Sequence, residues 1–171
     1  MRCDDTSIGV GRVGSPYVIE YAGRFSFPVP PQEVWSAVER FERFETWWGW
    51  LGELRVEGSG LVAGSVLHGV VAPPLPYRMR LRVVLVAVDP PRSIDALVHG
   101  DLVGKARLML EAEGEGTRAS VAWTIEMRQR PMRVAARVAS PLLRWGHGRV
   151  VDATVAGFRR HLRDSARGPD Q

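Results

Sequence analysis

The stretch "YVIEYAGRFSFPVPPQEVWSAVERFERFETWW", residues 17–48, changes its hydrophobic period partway along. Through Phe27 it alternates, with Tyr21, Gly23, Phe25 and Phe27 on one side and Glu20, Ala22, Arg24 and Ser26 on the other. A period of two marks a half-buried strand. After the prolines the spacing lengthens: Val34, Val38 and Phe41 recur at helical intervals, and the pattern runs on through Phe44 and Trp48. Pro31 suits a first helical position, where its missing N–H costs nothing, and acids in the opening turn favour the positive end of the helix dipole. The spacing predicts one short helix or a broken pair. Its end is expected at Gly49, because a residue without Cβ suits the left-handed conformation that closes many helices.

Outward from this segment, residues 53–128 are short alternating runs cut by Gly, Pro and Asp. In the clearest, Tyr77, Met79, Leu81, Val83 and Leu85 oppose Arg78, Arg80 and Arg82. In the last, Ala119, Val121, Trp123, Ile125 and Met127 oppose Arg118, Ser120, Thr124 and Glu126. Such runs predict antiparallel strands with one face covered and one wet, joined by turns at "VDPPRS" and "EGEGT". Beyond "RQRP" the period is helical again. Residues 131–139 are expected to give a leading turn or two, and Pro141 to restart a helix over 142–164. His147, Val151, Val155, Phe158 and Leu162 form its apolar stripe. No internal repeat or linker interrupts the chain. One domain is expected over 17–164, between flexible segments 1–16 and 165–171.

The 171 residues are 45% hydrophobic and 25% charged, an ordinary globular composition. No run reaches the roughly 20 apolar residues of a spanning helix, and the start has no continuous apolar core of a secretory signal, so a cytoplasmic protein is expected. The single Cys3 can neither close an internal disulfide nor hold a metal by itself. The net charge of +4 rests almost wholly on arginine, since Lys105 is the only lysine, and the arginines are interspersed with acids as in "ERFERFE". Dispersed charge reads as a solvated surface rather than a nucleic-acid tract.

The order strand, short helices, about six further antiparallel strands and a long last helix resembles the helix-grip fold of the START-like, or SRPBCC, superfamily. "FPVPPQEVWSAVERFERFETWWGWL", "GSVLHGVV", "HGDLVGKARLMLEAEGEGTRASVAWTIEM" and "GHGRVVDATVAGFRRHL" are similar to its polyketide cyclase/dehydrase branch, over about residues 17–164. Gly49 departs from the pattern, since relatives often carry proline after the tryptophans. The resemblance implies an α+β fold: a curved sheet of about seven strands wrapped around the C-terminal helix, with two short helices after the first strand and a cavity between sheet and helix. On this scaffold lipid transport, coenzyme-Q binding, ligand-gated signalling and cyclase chemistry all occur, so the site must decide.

No GxSxG, HExxH, phosphate-binding glycine loop or paired-cysteine spacing is present, and neither metal nor cofactor is implied. Candidate proton-transfer groups are His147, Asp95 and His99, with Tyr21 and Asp101 as further polar groups able to line a cavity. His68 and His99 stand in runs that do not alternate cleanly, so their directions are open. Met79, Leu81, Trp123, Ile125, Val151 and Val155 fall on inward faces. Singly each reads as core, but together they could wall an apolar pocket, with His147 or His99 as anchors and Trp47 lining or capping its mouth. Of the neighbouring indoles, Trp48 is expected in the core and Trp50 nearest solvent, a partner or a membrane surface. The reading these residues favour is a protein that binds a small hydrophobic molecule such as a lipid, quinone or polyketide-like compound. The alternatives are an aromatase/cyclase or dehydratase on a polyketide-like substrate, and a basic adaptor for nucleic acid or anionic membrane through Arg128, Arg130, Arg133 and Arg137.

Overall fold

The computed structural model describes residues 18–72, 78–128 and 140–166, with side chains along the last helix described from 151 to 164. Seven strands form one antiparallel sheet: β1 (Val18–Phe27), β2 (Leu51–Glu57), β3 (Val66–Val71), β4 (Met79–Asp89), β5 (Ser93–Gly100), β6 (Leu102–Glu113) and β7 (Gly116–Met127). Their order is β1-β7-β6-β5-β4-β3-β2, so every sequential pair from β2 to β7 is a neighbouring pair and β1 closes onto β7. Between β1 and β2 lie helix α1 (Pro31–Glu39), a 3-10 turn (Phe41–Arg43) and the single-turn α2 (Phe44–Trp47). The chain ends in helix α3 (Ser140–Ala166), 27 residues long, about 40 Å at 1.5 Å per residue. This is the helix-grip arrangement.

The alternation of the sequence fixes which face of the sheet meets α3. Phe27 of β1 meets Phe158 of α3 edge-on, with ring centroids 5.4 Å apart. Leu85, Ile94, Leu110, Ala119 and Leu162 join them in the main core, with Val34, Trp35 and Ala37 closing it from α1. Two polar groups at this core are tied down, the first being Thr117, 1% exposed, which donates its hydroxyl to the Val29 carbonyl at 2.6 Å. The Trp35 indole N–H reaches Glu39 Oε1 at 2.7 Å. Burial of a hydroxyl or an indole N–H is tolerated on these terms.

Pro31 takes the first helical position with Glu33 behind it, as the sequence predicts, and the helical run is broken into a pair. The end comes earlier than the Gly49 expected. α2 ends at Trp47, and Trp48 leaves the helix with φ −100° and ψ 83° while its N–H still bonds the Phe44 carbonyl at 2.8 Å. Gly49 is not among the described glycines with positive φ, so it supplies no left-handed cap. The physical reason is packing, since the next strand begins at Leu51 and the chain must turn at once. Gly100 does need its freedom: with φ +111° it lets the chain turn from β5 into β6 beside the Arg80 carbonyl. Asp101 follows, accepting the Arg80 N–H through Oδ2 at 2.7 Å. It is a structural tie between strands. The leading turns expected over 131–139, and Tyr77, lie outside the described residues.

Candidate functional site

The face of the sheet that meets α3 is packed unevenly. Where α1 and the end of α3 press on it, Phe27, Leu85, Leu110, Phe158 and Leu162 are only 3–7% exposed. Toward the start of β1 and the end of β7 the same face is mixed: Val98, Leu102 and Met127 are buried, but Met79, Leu81, Trp123 and Ile125 are only half-buried. Met79, Leu81 and Ile125, three of the expected pocket residues, lie together there against Val98, Leu102 and Met127. Val151 and Val155 are half-buried on α3. Trp123 is also half-buried and pairs across the sheet with Tyr21, their rings stacked at 4.3 Å and 21°.

The Tyr21 ring lies back along its own strand over Gly23. A Cβ at Gly23 would stand 2.7 Å from the Tyr21 Cζ and 2.9 Å from Cε1. Glycine at 23 therefore keeps the phenol flat beside Trp123. Burial, and then the nearby Asp152 carboxylate of α3, raise the Tyr21 hydroxyl above the usual phenol value of 10.0. It stays protonated at neutral pH and keeps its capacity to donate a hydrogen bond.

Trp47 stands at the join of two regions. It packs on Phe44 and on Phe158, each with centroids 4.9 Å apart, and stacks with Trp48 at 6.1 Å and 13°. Two helical neighbours would point about 100° apart, but Trp48 has already left the helix, so its ring swings parallel to that of Trp47. Trp47, Trp48 and Trp50 are all half-buried around Phe44, Leu51 and Val71, together with Met79 and Leu81. Trp48 is thus half-buried like the other two rather than part of the fully buried core expected for it. The indole nitrogens of Trp47 and Trp48 are buried without a hydrogen-bond partner among the described residues. Beneath them, the Trp47 backbone rests directly on α3 at Gly157.

The other polar candidates divide differently from the sequence expectation. Asp95 faces the outer side of the sheet and pairs with Arg107 at 3.2 Å. His99 shares that side and is exposed. Neither faces α3, because Ala96 and Val98 take the inward positions of β5. His68 is also outward, 3.1 Å from Glu57. His147 lies on α3, but its side chain is outside the described residues. Arg128 is exposed, and Arg130, Arg133 and Arg137 lie outside the described residues.

Two groups were invisible to sequence reasoning. Asp152 sits one residue off the apolar stripe, and nothing in the sequence links it to Tyr21. His161 is held below its usual range by burial and by Arg43 and Arg40, against a smaller opposing effect of Asp164. Its Nε2 is buried with no partner among the described residues. Among those residues no group of three or more His, Cys, Asp or Glu side chains could hold a metal ion. No described helix is long and apolar enough to cross a membrane.

Comparison with known proteins agrees with this architecture. A search of curated protein sequences returned no match. Solved structures with the same fold include TTHA0849 from Thermus thermophilus, with TM-score 0.69, 17% identity, 86% of this chain and 99% of that one covered. A conserved protein from Geobacillus kaustophilus has TM-score 0.69 at 13% identity, covering 86% of this chain and 97% of that one. The di-domain ARO/CYC BexL from the BE-7585A biosynthetic pathway has TM-score 0.65 at 16% identity, covering 86% of this chain and 50% of that one. At these identities the likeness is one of fold. The sequence profile described as polyketide cyclase / dehydrase and lipid transport matches residues 19–163, nearly the whole folded part, and the chain therefore belongs to that family.

Proposed function

We propose that the protein binds a small, largely apolar molecule between the sheet and α3, at the end of the concave face where packing is looser. The observation that carries this reading is the contrast along one face: sealed around Phe158, half-buried around Met79, Leu81, Trp123, Ile125 and Val151. Pockets for small ligands are mostly apolar with a few polar anchors, and Tyr21 supplies one such anchor. Val155 and Trp47 border the region, and His147 falls one helical turn before Val151. The family description, which names lipid transport, supports the same ligand class. No cofactor enters this reading.

The test is native mass spectrometry of protein purified from its own host, followed by thermal-shift titration with lipids, quinones and polycyclic aromatics. Binding at a hundredfold excess over Kd should add about 2.7 kcal/mol of apparent stability. Ile125→Ala and Trp123→Ala should lower that gain more than Val62→Ala, an exposed control. If no compound co-purifies and none shifts the melting temperature, the proposal is lost.

A second reading, cyclisation or dehydration of a polyketide-like substrate, is favoured by the protonated Tyr21 phenol and by the ARO/CYC relative. Tyr21 would donate a hydrogen bond to a substrate carbonyl as negative charge grows on its oxygen during enolisation. Tyr21→Phe should then abolish most product formation while leaving ligand binding within a few-fold. Product formation unchanged in that variant would remove Tyr21 from the reaction.

A further inference from the structure

The outer face of the sheet, away from α3, carries a feature that appears only when the strands are set in register. Arg55 of β2 is opposite His68 of β3, His68 opposite Arg82 of β4, and Arg82 opposite His99 of β5. Four basic side chains therefore stand in one row across four strands. Directly opposed residues have Cβ atoms about 4.5–5.5 Å apart, so the two permanent charges of the row, Arg55 and Arg82, flank His68. Of the surrounding carboxylates only Glu57 meets the row, through His68, which leaves Arg55 and Arg82 without an ion pair among the described residues. Glu57 is held by His68 at 3.1 Å, Asp95 by Arg107 at 3.2 Å, and Asp101 accepts the Arg80 backbone N–H. Glu53 stands one row away on β2, opposite Val70. Among the described residues Arg55, Arg82 and His99 make no ion pair, and all three are exposed.

The adjoining row has a different character. Val66 is opposite Val84, Val84 opposite Leu97, and Leu97 opposite Lys105. Leu97 is 43% exposed, and the bulge between Leu85 and Ala87 turns Val86 outward to 52%. Exposed Leu97 and Val86, with half-buried Val66 and Val84, thus run beside Arg55 and Arg82, which make no ion pair among the described residues. No Phe, Tyr or Trp side chain lies at the outward positions of the seven strands to stack a base, which disfavours single-stranded nucleic acid, whose binding relies on such platforms. Cations beside aliphatic groups match the headgroup zone of a bilayer, where anionic lipid lies above acyl chains. We propose that this outer face, with Arg55 and Arg82 as its charge contacts and Leu97 and Val86 as its apolar contacts, docks the protein on an anionic lipid membrane.

The full chain is tested by flotation with vesicles of phosphatidylcholine alone and of equimolar phosphatidylcholine and phosphatidylserine. Binding is expected only to the anionic vesicles and falls with ionic strength. An arginine at an anionic surface contributes about fivefold in partitioning, so Arg55→Gln with Arg82→Gln lowers binding about 30-fold. Leu97→Ser lowers it further without changing net charge. Melting curves of these exposed-site variants, expected to be close to the parent's, confirm that folding is intact. Absence of binding to anionic vesicles, or equal binding by the double arginine variant, overturns the proposal. Binding to a single-stranded oligonucleotide with the same arginine dependence but no response to Leu97→Ser would reassign the row to nucleic acid and equally overturn it.

Discussion

Replacement of Gly157 by alanine sets two effects of opposite sign against each other. In an ordinary helix interior, glycine to alanine gains about 0.8–1.0 kcal/mol, because glycine has more backbone freedom to lose. At Gly157 the new Cβ would fall on the Trp47 carbonyl oxygen and lie 3.2 Å from its carbon. The obstacle is backbone at the last residue of α2, which cannot rotate aside as a side chain would. Overpacking a tight contact costs about 1–3 kcal/mol. Taking the upper part of that range for a clash with backbone, the expected net effect is a loss of about 1–2 kcal/mol. Urea denaturation followed by circular dichroism reads this directly. The near-ultraviolet signal should change too, since pushing α2 away moves the stacked Trp47 and Trp48. A variant that gained stability with an unchanged near-ultraviolet spectrum would refute the seating of Trp47 on α3.

Three further outcomes follow from the site. Gly23→Ala should displace the Tyr21 ring from Trp123 and cost about 0.5–1.5 kcal/mol of stacking; in a Tyr21→Ala background the same change should cost clearly less, a coupling that a double-mutant cycle measures. Because the Tyr21 pKa is raised on folding, first by burial and then by Asp152, its contribution is complete below the usual phenol value and is lost as pH rises through the folded value. Asp152→Asn should lower the phenolate absorbance midpoint only part of the way, since burial is the larger cause. His161 behaves oppositely: its pKa is lowered on folding, so its contribution is present above the usual imidazole range and lost as pH falls through the folded value. Melting temperatures of the parent should drop more than those of His161→Gln between about pH 7 and pH 5, and equal slopes would show that His161 is not desolvated.

Period carried most of the fold. β1, β4 as far as Leu85, and β7 alternate cleanly because one side meets α3 and the other meets water, so their inward residues could be named from the sequence. β5 could not be read this way. Leu97 faces solvent between inward Ala96 and Val98, and Gly100 turns the chain immediately afterwards. The direction of His99 is therefore open in the sequence, and Asp95, expected to line the cavity, lies outward with it. Trp47 was legible as a special position, but its contact with Gly157 joins residues 110 apart and has no local signal. The outer row Arg55, His68, Arg82 and His99 is invisible for the same reason: register between strands is a tertiary fact, set by turns and bulges, and each member alone reads as an ordinary wet position.

The sheet is not closed, and β1 and β2 form its two margins. A strand at a margin offers free N–H and C=O groups to any other chain, and natural sheets discourage such pairing with charge and irregularity. β2 has both: Glu53, Arg55 and Glu57 point to solvent, and its ladder with β3 slips between Leu51 and Glu53. Arg55 therefore has a second consequence unrelated to any ligand. It helps to keep one molecule from templating onto the next, so removing charge along β2 should appear first as self-association at high concentration. Arg82, two strands further in, is free of that duty.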